Sequence, residues 1–217
     1  MARRLPLRHA TLTAGKNLMR PLILGLLAWF GAACSDSTSP TPPVPTSQLH
    51  FVIQDASAPP LYTDTASFYA KVGDGREVRL YYQDAVGGSG EEFLRFEVPG
   101  DALLRKPDGT AFQAGDSILI SVTVLDAQRF VFDFQPAGLR FSPDHPARLK
   151  IEYAHSDHDY DGDGSITPAD STIRSELDLW KNDPPSTMWF KQGGVNFESL
   201  EDLDANILSF SQYAVAW

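Results

Sequence analysis

Three aspartates stand at two-residue spacing in the stretch DYDGDGSITPAD, which begins at Asp159 and ends with a fourth aspartate. Asp159, Asp161 and Asp163 alternate with other residues, and Asp170 closes the stretch. Alternate residues of a tight loop point inward, so these carboxylates converge and repel each other unless a cation lies between them. Gly164 follows the third aspartate, where the chain has to turn sharply. The chemistry that this spacing favours is the binding of a hard metal ion.

Calcium is the ion that this stretch predicts. Calcium takes six to eight oxygen ligands at about 2.3–2.6 Å, more than a few carboxylates supply. The backbone carbonyl of Ser165 stands at the seventh position and Thr167 at the ninth, where calcium loops place further ligands. No Lys or Arg lies between Lys150 and Arg174 to neutralise the aspartates. The predicted calcium ligands are therefore Asp159, Asp161, Asp163, Ser165, Thr167 and Asp170.

Two other interpretations of the aspartates stay open. They form a solvated acidic loop without an ion, or they bind magnesium, because Asp170 is shorter than the usual terminal glutamate and has less bidentate reach. His155, Asp157 and His158 flank the stretch and are expected to be exposed or to support the ligands without binding the ion. Ile166, at the eighth position, is expected to act as an apolar pin.

A short helix is predicted at the end of the aspartate stretch. Thr167 is suited to cap a helix, Pro168 to occupy its first position and Asp170 to act as the capping acid. The helix is expected to run to about Glu176.

The chain from about residue 49 onward is typical of a β-protein. The whole sequence has 217 residues, of which 42% are hydrophobic and 11% aromatic, enough for a core. Apolar and polar residues alternate in REVRLYY, EFLRFEV, SILISVTVL, RFVFDF and RLKIEY, as expected of antiparallel sheets with one wet face. The predicted buried faces are Val78, Leu80 and Tyr82; Leu94, Phe96 and Val98; Ile118, Ile120, Val122 and Val124; Phe130, Phe132 and Phe134; and Leu149, Ile151 and Tyr153.

These short strands, separated by turns such as KPDGT and VGDGR, predict an antiparallel, Ig-like β-sandwich with one short helix. The aromatic residues of the strands have an alternative interpretation as a stacking surface for sugars. Phenylalanines at strand spacing are far more often part of the core, and the core is the interpretation that we prefer.

The first 33 residues are typical of a secretory signal. Basic residues up to Arg20 precede the apolar run PLILGLLAWFGAAC, which ends at Cys34 and is shorter than a membrane-spanning helix. Cys34 is the only cysteine, so no internal disulfide can form. The ending GAAC of this run resembles the bacterial lipobox, which implies that Cys34 is lipidated after cleavage, and the alternative is an incidental or buried thiol. Met19 followed by Arg20 would make a compact signal by itself, so Met19 is an alternative start to Met1.

Residues 34–48 are rich in Ser, Thr and Pro and predict an extended tether between the lipidated cysteine and the folded part. The predicted organisation is a signal peptide at 1–33, the tether at 34–48, and a sandwich at 49–217 with an inserted calcium loop and helix at 157–176. Five of the 18 basic residues lie in 1–33, which leaves 13 against 28 acidic residues, a net charge of −15. So acidic a body argues against nucleic-acid binding, because phosphate contacts need clustered Lys and Arg.

Two short stretches resemble known families. The ending GAAC resembles the bacterial lipobox, with Gly31 where Leu or Val is usual. This resemblance implies a diacyl or triacyl anchor in a membrane. The aspartate stretch resembles the EF-hand loop and, with its final Asp170, the calcium loop of a dockerin repeat. Dockerins carry two such repeats and dock onto cohesins in carbohydrate-degrading assemblies, whereas this chain shows one.

A third resemblance covers more of the chain. FEVPGDALL (96–104), FSPDHPARLKIEY (141–153), LDLW (177–180) and SFSQYAVAW (209–217) occur in the order found in ZU-five-type β-sandwiches, known from ankyrins and netrin receptors. The resemblance implies a ZU-five-like sandwich for protein interaction rather than an enzyme. In that frame the calcium loop is an insertion into a long hairpin connection, which the metal would clamp.

Together these features predict a non-catalytic, lipid-anchored envelope protein that binds structural calcium and a protein or glycan partner. Ser35 after Cys34 is not the aspartate of inner-membrane retention, which favours the outer membrane or the cell surface. The sequence shows no nucleophile elbow, zinc-protease helix or phosphate loop. The alternative is an envelope hydrolase, or a dockerin-like accessory module of a carbohydrate-degrading system, because paired catalytic acids meet only in the folded chain.

Overall fold

The computed structural model describes residues 41–217, and the predictions for the signal peptide and for Cys34 lie outside this range. The strands in chain order are β1 (Val44–Pro45), β2 (Thr65–Lys71), β3 (Arg76–Gln83), β4 (Ser89–Val98), β5 (Leu103–Arg105), β6 (Ser117–Asp126), β7 (Val131–Gln135), β8 (Arg140–Phe141), β9 (Ala147–Glu152), β10 (Asp178–Asn182), β11 (Met188–Lys191), β12 (Val195–Phe197), β13 (Asp202–Ile207) and β14 (Gln212–Ala216). Helix α1 spans Pro168–Glu176, and a 3-10 turn spans Ala127–Arg129. No helix in the described range is long and apolar enough to cross a membrane.

Two antiparallel sheets form the body of the fold. The larger sheet has the strand order β1-β11-β10-β14-β7-β6-β2, and the smaller has the order β12-β13-β9-β4-β3. Strands β5 and β8 pair separately as a short two-stranded sheet. The predicted antiparallel β-sandwich with one short helix is therefore confirmed.

The core lies between the two sheets and contains the predicted apolar faces. All of those residues are buried except Val78 and Ile118, which are partly buried against the core. The ring of Phe96 lies 5.1 Å from that of Phe134, centroid to centroid. Phe130 is also buried, but it precedes β7 with a left-handed φ of 47° instead of lying within the strand. The aromatic residues of the predicted faces are therefore core residues and offer no stacking surface for sugars.

The fold begins earlier than the predicted tether boundary at residue 48. Val44 pairs with Trp189, which makes β1 an edge strand of the larger sheet. The indole N–H of Trp189 donates a hydrogen bond of 3.0 Å to the hydroxyl of Thr46. A second apolar cluster, on the outer face of this sheet, includes Leu49, Trp180 and Trp189. Residues 44–46 therefore belong to the folded part, because the buried tryptophans need this segment as a cover.

The aspartate loop and α1 connect two different sheets. Strand β9 pairs with β4 and β13 in the smaller sheet, whereas β10 pairs with β11 and β14 in the larger one. The prediction of a hairpin connection is therefore wrong. Alternation identifies each strand and its buried face, but it does not say which sheet the strand joins.

Candidate metal centre

Three of the predicted ligands converge at the start and end of the aspartate loop. Asp159, Asp161 and Asp170 each place a carboxylate oxygen within 4.8 Å of the other two. We call this group the aspartate cage. Carboxylates at such distances repel each other, and a divalent cation between them would turn this repulsion into attraction.

The electrostatics of Asp161 show the repulsion within the cage. The backbone N–H of Asp163 donates a hydrogen bond to Asp161 and lowers its pKa. Burial and the negative charges of Asp163, Asp170 and Asp159 raise that pKa more, so the pKa of Asp161 lies above its usual value. The negative charges of the cage are therefore not balanced by nearby positive charges, and a bound cation would reduce their repulsion.

The first half of the loop folds around Asp159. Its carboxylate accepts hydrogen bonds from the backbone N–H of Asp163 at 3.0 Å and of Gly164 at 2.7 Å. Gly162 and Gly164 have φ values of 72° and 87°, in the region that favours glycine. The backbone turn predicted at Gly164 is therefore present, and it holds Asp159 in the cage.

The second half of the loop ends in a helix cap, as predicted. The hydroxyl of Thr167 accepts a hydrogen bond of 3.1 Å from the N–H of Ala169, and Asp170 accepts one of 2.7 Å from the N–H of Thr167. The hydrogen bond from Thr167 lowers the pKa of Asp170 below its usual value, against the opposing effect of burial. Helix α1 begins at Pro168 and ends at Glu176, as expected from the sequence. Asp170 is therefore held as a carboxylate at the helix N-terminus.

The other predicted ligands lie at the exposed tip of the loop. Asp163 is exposed, and its carboxylate accepts a hydrogen bond of 2.9 Å from the N–H of Ser165. Ser165 is exposed as well, and Thr167 is partly buried at the helix cap. Ile166 is 73% exposed, so its predicted role as an apolar pin is wrong for this chain. Within residues 41–217 no second aspartate loop lies against Ile166 to cover it.

The flanking histidines turn away from the aspartate cage. The imidazole of His155 lies 2.8 Å from the carboxylate of Glu91, and that of His158 lies 3.2 Å from the carboxylate of Glu201. Neither histidine belongs to the converging group. These contacts connect the residues that precede the loop to Glu91 and Glu201.

Contacts with distant residues fix both ends of the loop to the sandwich. Tyr160 is buried, its hydroxyl lies 3.0 Å from that of Ser156, and its ring packs edge-on against Trp217. At the far end, the side-chain amide of Asn196 donates a hydrogen bond of 2.6 Å to the carbonyl of Arg174 in α1. Sequence reasoning missed these anchors, because no local pattern connects Asn196 or Trp217 to the loop.

A groove of about 410 Å³ runs beside the first half of the loop. Three carboxylates contribute to its lining, those of Asp157, Asp159 and Asp161. The other lining residues are Leu49, His50, Phe51, Ile53, Arg129, Tyr160, Gly162 and Trp217. We call it the loop groove. The groove brings residues from both ends of the described chain next to the aspartate cage.

Comparison with known proteins adds no family assignment. No family model, curated protein or solved structure matches the chain. The resemblances to lipoboxes, dockerin repeats and ZU-five sandwiches stay predictions that rest on the residues quoted above.

Proposed function

We propose that this protein is a non-catalytic, lipid-anchored component of the bacterial envelope that binds a structural calcium ion and engages a protein or glycan partner. The observation that carries the calcium assignment is the convergence of Asp159, Asp161 and Asp170, with carboxylate oxygens within 4.8 Å of one another. The predicted spacing of an EF-hand loop supports calcium, because that loop matches the oxygen-rich coordination that calcium prefers.

The position of the loop supports a structural role for the ion. The loop and α1 join strands of different sheets, and Tyr160 of the loop belongs to the core. An ion that binds the folded chain and not the unfolded chain raises the free energy of unfolding. Extracellular calcium modules bind with dissociation constants of about 10⁻⁴–10⁻³ M, which suits a site outside the cytosol.

The proposed lipid anchor at Cys34 is supported by the sequence alone. The apolar run ending at Cys34 supports cleavage and lipidation there, with the outer membrane or the cell surface as the proposed location. The first strand begins at Val44, so the segment that follows Cys34 has a maximal reach of about 30 Å. The domain would then work close to the membrane to which it is anchored.

The test of the calcium site is calorimetric titration of the purified protein, with thermal melts in calcium and in EGTA. We expect binding in the range of about 0.1–1 mM, and a gain of about 2.7 kcal/mol in the free energy of unfolding when calcium reaches 100 times Kd. Asp159→Asn should abolish both effects. Asp108→Asn is the matched control, because Asp108 also accepts loop hydrogen bonds, at 2.9 Å and 2.7 Å from Thr110, but lies outside the aspartate cage. Absence of heat and of a melting shift in the wild type would refute the calcium assignment.

Magnesium is the competing ion. The loop offers the short Asp170 at its last position, which lowers its reach for the larger ion. Titration with magnesium under the same conditions decides between them: we expect weaker binding than for calcium, and tighter binding would reassign the site to magnesium.

The alternative function is that of a hydrolase, or of an accessory module in a carbohydrate-degrading system. The loop groove favours this alternative, since it combines aromatic residues with three carboxylates. Release of reducing ends from soluble polysaccharides by the purified protein would establish the hydrolase. Binding of the same polysaccharides without release would establish the accessory module.

A further inference from the structure

Two members of the aspartate cage also form part of the wall of the loop groove. Asp159 and Asp161 belong to both, so a molecule in the groove would lie next to the bound ion. The volume of about 410 Å³ falls within the range of small-molecule sites, about 300–1,000 Å³. The cage and the groove therefore share one boundary.

The cage supplies few ligands for the ion that we propose. Three carboxylates converge, and Asp163 is not a member of the converging group. Calcium takes six to eight oxygens. One oxygen from each of the three carboxylates fills three positions, and the remaining positions are open to second carboxylate oxygens, backbone carbonyls, water or hydroxyl groups of a ligand.

The lining of the loop groove also contains aromatic residues. The exposed ring of His50 stacks on Trp217 at 5.5 Å between centroids, with 27° between the ring planes. Trp217 meets Tyr160 edge-on, at 83° and 5.8 Å. Arg129 lies over the ring of Phe51, with the guanidinium carbon 5.6 Å from the ring centroid. The lining therefore combines flat apolar faces and a hydrogen-bond donor with the carboxylates.

The residues that line the loop groove limit which class of molecule can bind there. A purely apolar molecule would displace the water that hydrogen-bonds to Asp157 and Arg129, and it would offer no hydrogen bonds in its place. A phosphorylated molecule would be attracted by the ion and Arg129 but repelled by the three carboxylates, and a cationic peptide would experience the reverse, so the mixed charges favour a neutral occupant. A sugar avoids these costs, because its hydroxyls both donate and accept hydrogen bonds while its ring has an apolar face that stacks on aromatic rings.

We propose that the loop groove binds a neutral pyranose unit of a glycan. Its ring packs against His50 and Trp217, and two neighbouring hydroxyls complete the coordination of the calcium ion held by Asp159 and Asp161. Arg129 and Asp157 hydrogen-bond the remaining hydroxyls. This proposal rests on the proposed calcium site and makes that ion part of the recognition of the glycan partner.

The test uses four neutral disaccharides, cellobiose, maltose, lactose and mannobiose, titrated into the purified protein in calcium and in EGTA. Tryptophan fluorescence and calorimetry report binding, and calcium alone is titrated in parallel. We expect at least one disaccharide to bind in calcium with Kd on the order of 1 mM and to lose binding in EGTA. His50→Ala should weaken saccharide binding by about tenfold and leave calcium binding unchanged. Tyr69→Ala is the matched control, because Tyr69 is an aromatic residue that is 62% exposed on β2, outside the groove.

The possible results separate the two proposals. Calcium binding without binding of any of the four disaccharides overturns the saccharide site and leaves the calcium site standing. Saccharide binding that is equal in calcium and EGTA, or that His50→Ala does not weaken, overturns the proposed role of the ion or of the groove. Absence of calcium binding overturns the calcium site itself, and with it the metal-assisted recognition.

Discussion

The carboxylate of Asp170 accepts a hydrogen bond of 3.2 Å from the backbone N–H of Asp161, nine residues earlier in the chain. The same carboxylate accepts the hydrogen bond of 2.7 Å from Thr167 that caps α1. One side chain therefore joins the first half of the aspartate loop to the first turn of the helix. We expect changes at the helix cap to alter the aspartate cage, and changes in the cage to alter the cap.

The first prediction concerns the helix cap. Thr167→Ala removes the hydroxyl that accepts from Ala169, so we expect the free energy of unfolding in EGTA to fall by about 1 kcal/mol. Because Asp170 then loses part of its support, calcium affinity should fall as well. Urea unfolding and calcium calorimetry measure the two effects. Thr167→Ser keeps the hydroxyl and should behave like the wild type. A loss of stability in Thr167→Ala without a change in calcium affinity would show that the helix cap and the aspartate cage are independent.

The second prediction separates the turn at Gly164 from general backbone strain. Gly164 has φ of 87° and Gly109 has φ of 85°, and an added Cβ would meet nothing within 4 Å at either position. Replacement by Ala should therefore cost the same at both sites, about 1–2 kcal/mol for the left-handed conformation. Only Gly164→Ala should weaken calcium binding, because relief of the strain at this position displaces the backbone N–H that donates to Asp159 at 2.7 Å. Equal calcium affinity in the two variants would contradict the assigned loop geometry.

The third prediction tests the anchor between α1 and β12. Asn196 accepts a hydrogen bond of 2.6 Å from the hydroxyl of Tyr153 and donates one of 2.6 Å to the carbonyl of Arg174. Asn196→Ala leaves both groups without their partner, and we expect a loss of about 1–3 kcal/mol in the free energy of unfolding. Asn206→Ala is the control, because Asn206 is exposed on the neighbouring strand and should cost less than about 0.5 kcal/mol. Chemical denaturation of the two variants gives the comparison.

The fourth prediction concerns the pH dependence of stability. Burial raises the pKa of Asp178, more than the N–H of Leu179 and the ammonium of Lys191 lower it. An acid with a raised pKa in the folded state costs stability once it ionises, so its penalty is absent below the unfolded pKa of 3.8 and grows as pH rises through the folded value. We expect Asp178→Asn to be more stable than the wild type at pH 7 and equal to it near pH 3.

The control is Asp183→Asn, which should change the stability at pH 7 in the opposite direction to Asp178→Asn. Burial acts to raise the pKa of Asp183, but the nearby hydroxyl of Ser211 and the hydrogen bond of 3.0 Å from the ammonium of Lys181 outweigh it, so that pKa lies below its usual value. The stability that Asp183 contributes is present above the unfolded pKa of 3.8 and is lost as pH falls through the folded value. Asp183→Asn should therefore be less stable than the wild type at pH 7. Thermal melts across this pH range test both variants, and shifts of the same sign would contradict the assignment.

Local features of this protein follow from its sequence. The alternation in SILISVTVL places Ile120 and Val122 in the core, because successive side chains of a strand point to opposite faces. The order Thr167, Pro168 and Asp170 predicts the start of α1, because a helix cap involves only residues within three positions of each other. Such interactions are local, so the residue types and their spacing are sufficient to specify them.

Tertiary structure alone decides which distant segments meet. Strand β10 joins the larger sheet through β14, so the aspartate loop crosses between sheets instead of closing a hairpin. His50 and Trp217 come from opposite ends of the described chain, yet their rings stack beside Asp159. Burial of apolar faces and pairing of backbone hydrogen bonds over the whole domain determine these contacts, and no short-range pattern in the sequence encodes them. The aspartate spacing thus predicts an ion, whereas the groove beside it exists only in the folded chain.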